Sequence, residues 1–179
     1  METRPDPIAA ADAALSRVLQ LEAELQALTA ARAEALVAFE EAFAAAYPPN
    51  AAALRERALN AELACGLRMP ERTVQRLLGE ARVLTHELSA TLEGLSQGRF
   101  SYRHAQVLVD ELAGLDDADR VALERVALGT AATTTVSQFR ARVRKLREKR
   151  NPESMVLGCG SRRSSVSSLS SRCETGWRT

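Results

Sequence analysis

Aromatic residues are scarce in this 179-residue chain, with one Trp, two Tyr and four Phe, so its core must come from close-packed aliphatic side chains. Cysteine is equally sparse. Cys65, Cys159 and Cys173 are odd in number and lack the short paired spacing of a zinc site, which excludes a disulfide framework and leaves ordinary reduced thiols. The two histidines, His86 and His104, have no acidic or thiol partner at ligand spacing, so neither reads as a metal ligand. No serine-histidine-carboxylate order, glycine-rich phosphate loop or paired-carboxylate site can be assembled. No catalytic centre, metal or cofactor is therefore expected. No run of about eighteen apolar residues occurs, which argues against a membrane span. The start METRPDPIAAADAALS has no basic segment leading into an apolar block, so a cytoplasmic protein is expected. Lysine is almost missing, with 22 Arg against two Lys, a bias that a genome rich in G and C would encode unaided. Net charge is only +1, so any affinity for polyanions must come from local clusters.

Ala is abundant, at 32 residues, and favours helices over sheet. The expected fold is all-α: a long N-terminal helix, then a bundle of shorter helices over residues 1–150, then a disordered tail over 151–179. From Pro7 to Tyr47 no breaker interrupts the chain, and Val18, Leu21, Leu25 and Leu28 recur at alternating spacings of three and four before Phe39, Phe43 and Tyr47. One long amphipathic helix follows, with Arg32 breaking its seam. It packs on its own domain or pairs with a second copy in a homodimer through residues 7–47. Pro48 and Pro49 stop it, and Asn50 suits the cap of the next helix, from Ala51 to about Leu67. Farther on, Gly94 and Gly98 cut the chain. Ser101 can cap a helix that carries Tyr102, Ala105, Leu108 and Leu112 on one face until Gly114. Asp116 opens another with Asp119 in capping-box position, and Asp117 adds to the same helix start.

The segment ELACGLRMPERTVQRLLGEAR, Glu62 to Arg82, has the spacing of a helix-turn-helix. Ala64 is small where the helices would cross, and Val74 and Leu77 would pack the second helix onto the first. Arg72, Gln75 and Arg76 are left outward, where Arg can grip guanine and Gln adenine. Arg68 stands where Gly is commonest, and a left-handed ordinary residue costs on the order of 1 kcal/mol, so a longer or differently shaped turn is expected. Pro70 fits the first position of the second helix. The alternative is two packing helices without a ligand.

Thr135 and Gln138 form a second capping signature before VSQFRARVRKLREKR, whose Val136, Phe139, Val143 and Leu146 make a buried stripe. Between Arg140 and Arg150 lie seven cations and one Glu. Arg140, Arg142, Arg144, Lys145 and Arg147 are thus candidate phosphate contacts, with a merely solvated basic face as the alternative.

Taken together, ERTVQRLLGEA and the later GRFSYRHAQVLVDELAGLDD resemble the actinobacterial family called domain of unknown function 222, the thirteen-E-twelve repeat proteins, over roughly Asp12 to Glu153. In that family the helical region typically precedes an HNH endonuclease domain, where histidines and an asparagine surround a divalent metal. The resemblance implies a nuclease context. It also makes Arg103 and His104, in the most recognisable stretch, candidates for a shared role in DNA binding. At its C-terminal end the chain departs from the family, with MVLGCGSRRSSVSSLSSRCETGWRT in place of a strand-containing region and the HNH motif. Ala never recurs after Ala141, and eight Ser fall between Asn151 and Thr179. A flexible or phosphorylatable tail is one reading. A reading-frame shift is the other, because codons for Glu174 to Arg178, read from the third base of the Glu codon, can encode Asp-Gly-Met-Ala, a tetrapeptide associated with the family. The expected function is a DNA-associated accessory domain of an HNH endonuclease-like mobile-element protein, truncated and without nuclease activity. The alternative is a helical interaction or dimerisation module.

Overall fold

The computed structural model describes residues 7–48 and 51–150, and every regular element among them is an α-helix. The helices are α1 (Pro7–Ala45), α2 (Ala52–Leu67), α3 (Glu71–His86), α4 (Ser89–Ser96), α5 (Tyr102–Leu112), α6 (Asp117–Ala131) and α7 (Val136–Arg150). The tail over 151–179, expected to be disordered or out of frame, and the cap expected at Asn50 lie outside the described residues. No described helix is long and apolar enough to cross a membrane.

The fold is organised around α3, which packs against α1, α2, α4 and α5, while α7 closes the far side against α5 and α6. The core is aliphatic, from Leu84, Leu88, Leu95, Leu108 and Leu112, and among the described residues Phe139 is the one large ring wholly buried in it. Arg82 of α3 ties this helix to α1 through a two-pronged pair with Glu40, one bond measuring 2.7 Å. That hydrogen bond holds the Arg82 guanidinium above its ordinary pKa.

The long helix forms as expected, but its leucine seam does not face the bundle. Val18, Leu21, Leu25 and Leu28 are exposed, whereas Ala30, Ala33, Leu36 and Val37 are buried. Proximity decides the register. Gly98 has φ +66°, and a Cβ there would stand 2.7 Å from the Cβ of Ala23, so the turn after α4 presses onto α1 where only small groups fit. Gly94, expected as a break, lies inside α4 and leaves room for the ring of Phe100.

Caps follow local chemistry. Asp116 accepts from the Asp119 N–H at 2.8 Å, and Thr135 and Gln138 exchange the two bonds of a capping box at 3.2 and 3.4 Å. Gly114 takes φ +77° just after α5. Ser101 occupies the cap position of α5, yet its hydroxyl goes to His104 instead of a backbone N–H. The residue before α4 is Leu88, which has no capping group. Glu124 of α6 supplies one from a distance, accepting from the Thr91 N–H at 2.8 Å and from the Thr91 hydroxyl at 2.6 Å. Both residues are buried.

Candidate nucleic-acid interface

The segment read as a helix-turn-helix is α2, a three-residue turn and α3. Contrary to the expectation of a longer or reshaped turn, Arg68 adopts the left-handed conformation, at φ 54° and ψ 42°. The Met69 N–H reaches the Ala64 carbonyl at 3.0 Å and the Arg68 N–H that of Cys65 at 3.3 Å, the paired bonds of a Schellman ending. Those two bonds satisfy helix-end carbonyls and offset the cost of an Arg there. Pro70 sits at the cap, one position earlier than expected, and its carbonyl accepts from Thr73 and Val74. Val74 is fully buried, and Arg72, Gln75 and Arg76 are exposed on the first two turns of α3.

Arg76 also lines a groove between α3, α5 and α7, together with Glu80, Arg103, Gln106, Asp110, Ser137 and Arg140. Its volume is about 490 Å³. Three cations that are remote in sequence thus converge on one concave surface. Each sits in a different electrostatic setting. Arg76 Nε is 3.6 Å from Glu80 Oε1, and Arg140 Nη2 is 3.6 Å from Asp110 Oδ2, both longer than a direct hydrogen bond. Arg103 is exposed and holds no acceptor among the described residues.

Glu80 is the fixed point of this groove. It accepts from the Tyr102 hydroxyl and, at 3.0 Å, from Gln106 Nε2, while the Tyr102 N–H donates to Gln26 Oε1 of α1 at 2.7 Å. Burial first, and then the bond to Glu80, push the Tyr102 hydroxyl well above the ordinary phenol range. Among the described residues the Asp110 carboxylate is held only by Arg140, and it is largely exposed. Sequence reasoning placed Tyr102 only on the packing face of its helix, without a partner, and singled out none of Glu80, Gln106 or Asp110. Only the spacing of Arg76 and Glu80, one helical turn apart, signalled any of these contacts.

The remaining candidates are divided. Arg144 Nε pairs with Glu111 at 2.8 Å on the α5 side. Arg147 is turned inward, donating to the carbonyls of Glu111 at 2.8 Å and Ala113 at 3.2 Å, so its guanidinium closes the end of α5 and is not presented to a phosphate. Arg142 is two residues past Arg140, roughly 200° around the helix, and Lys145 roughly 140° around it. Both are exposed without an ion pair among the described residues, and neither lines the groove. The seven cations therefore do not form one stripe. His104 is buried and also drops out as a DNA contact. Its Nδ1 meets the Ser101 hydroxyl at 2.9 Å and its Nε2 the Thr134 carbonyl at 3.0 Å, with the rings of Phe100 and Phe139 edge-on to it. Because a carbonyl only accepts, Nε2 carries a proton, and in the neutral ring Nδ1 then accepts from the Ser101 hydroxyl.

Among the described residues, no group of three or more His, Cys, Asp or Glu is placed to hold a metal ion. Compared with models of known protein families, with curated proteins and with solved structures, the chain matches none.

Proposed function

We propose that this chain is a helical, DNA-associated accessory domain of an HNH endonuclease-like protein, without nuclease chemistry of its own. The nuclease context rests on the resemblance of the α3–α5 segments to the thirteen-E-twelve proteins. The DNA part is carried by one observation, the convergence of Arg76, Arg103 and Arg140 from three helices on a single groove. Arg72 stands one turn before Arg76 on α3 and extends the basic surface toward the helix start, where base edges would be read. Arg144 flanks it from α7.

Fluorescence anisotropy with a short labelled duplex over a salt series tests the reading. Replacing Arg76, Arg103 and Arg140 together by Ala should weaken binding about tenfold or more and flatten the log-log salt dependence by about two to three. Replacing Arg142 and Lys145 should do less. Wild-type protein that fails to bind any duplex at about 50 mM salt would remove DNA from the model.

A second reading, self-association, is favoured by the apolar groups that α1 leaves in solvent. Leu15, Val18, Leu19, Leu25 and Leu28 are all more than half exposed, ahead of the first buried residue of the helix, Ala30. Leu19→Glu with Leu25→Glu should convert a dimer to a monomer in light scattering. A monomeric wild-type chain ends that reading.

A further inference from the structure

The groove is lined by three guanidiniums and two carboxylates, so a single positive charge is in excess. The two carboxylates are not equivalent. Glu80 is anchored by Tyr102 and Gln106 and belongs to the framework, whereas the Asp110 carboxylate has only Arg140 as a partner among the described residues, at 3.6 Å, with both side chains substantially exposed. A pair that long and that exposed is weak, so a better acceptor can displace it. Arg103 has no acceptor among the described residues to give up. Ser137, in the first turn of α7, adds a hydroxyl to the lining.

Resting on the DNA reading above, we infer that this groove seats one internal phosphodiester of the nucleic-acid backbone. Arg103 is its principal donor, and Asp110 is a built-in competitor that occupies Arg140 until the phosphate arrives. The charge selects the ligand. A phosphodiester brings one negative charge, which matches the excess in the groove. A terminal phosphate monoester brings about −1.5 to −2 near neutral pH and would leave the groove negative beside two carboxylates. The seat therefore accepts the interior of a strand and gains nothing from a phosphorylated end.

The test titrates the full chain into labelled duplexes that differ only in carrying a 5′-hydroxyl or a 5′-phosphate. Wild-type affinity should be equal for the two. Arg103→Ala, at an exposed side chain with no hydrogen bond or ion pair among the described residues, should keep the thermal midpoint and lose about tenfold in affinity, as expected for a charge-assisted bond. Asp110→Asn should gain about threefold to tenfold and steepen the salt dependence by freeing Arg140. Binding that persists unchanged in Arg103→Ala overturns the seat while leaving DNA association intact. So does a wild-type preference for the 5′-phosphate, or weaker binding by a folded Asp110→Asn protein. Absence of wild-type binding to every duplex overturns DNA association and the seat with it.

Discussion

Replacing Glu124 by Ala should be among the most damaging single substitutions in the bundle, although the residue lies outside every motif. Its carboxyl oxygen accepts from the Thr91 N–H at 2.8 Å and the Thr91 hydroxyl at 2.6 Å, and Thr91 is wholly buried. Removing the acceptor strands two donors away from water at the start of α4, where Leu88 offers no substitute. A buried donor left unpaired costs about 1–3 kcal/mol, so the loss should be about 3–5 kcal/mol once the cavity is included. For a domain of this size that is a fall of about 6–20 °C in thermal midpoint. Glu124→Gln keeps a carbonyl oxygen in place and should cost about 1–2 kcal/mol. Urea denaturation followed by circular dichroism gives both values. A double-mutant cycle with Thr91→Val then isolates the coupling, expected at about 1 kcal/mol or more. Glu124→Ala within about 1 kcal/mol of wild type would show that α4 does not depend on this long-range cap.

Arg68→Gly should stabilise the chain by about 0.5–1 kcal/mol, because the left-handed position stays and its side-chain cost goes; an unchanged or lower urea midpoint would contradict it. Gly98→Ala should destabilise by about 2–5 kcal/mol, since a methyl at φ +66° meets the backbone and Cβ of Ala23, and equal thermal midpoints would show that α1 yields. Tyr102 gives a pH signature. Its hydroxyl titrates higher in the folded chain than in the unfolded one, so its contribution is present below about pH 10 and is lost as pH rises further. Tyr102→Phe should therefore lower stability near neutral pH and make its decline above pH 10 shallower, read from urea midpoints across that range.

What was legible in the sequence was what local chemistry decides. Asp116 with Asp119, and Thr135 with Gln138, bond to backbone three residues away, so spacing alone locates them. The face of Ala105, Leu108 and Leu112 was equally plain, and it contained an overlooked clue. His104 lies one turn before Leu108 and therefore shares the inward face, yet the family likeness drew it toward the surface. The side of α1 that packs was not legible, because periodicity favours the largest apolar groups while the close approach of Gly98 selects the smallest. Glu124 was also hidden. Its partner is 33 residues away, and the only sign was a missing cap at Leu88. The groove needed α3, α5 and α7 in position before Arg76, Arg103 and Arg140 could be seen as neighbours.

The basic helix shows why a count of charges overstates an interface. Four of its seven cations point to acceptors within the bundle: Arg140 to Asp110, Arg144 to Glu111, Arg147 to the carbonyls ending α5, and Arg150 to Asp119 of α6. These contacts join α7 to both neighbours, so part of the charge that reads as a phosphate-binding run serves assembly. They are not equally committed. Arg147 is half-buried on two carbonyls and would leave helix-end acceptors unpaired if it moved, whereas Arg140 is bound to one exposed carboxylate at 3.6 Å. Availability to a polyanion follows from that difference and not from position along the run. It places the responsive end of α7 near its start, at Arg140 beside Arg103 and Arg76, where a phosphate would compete with Asp110 without unlatching the bundle.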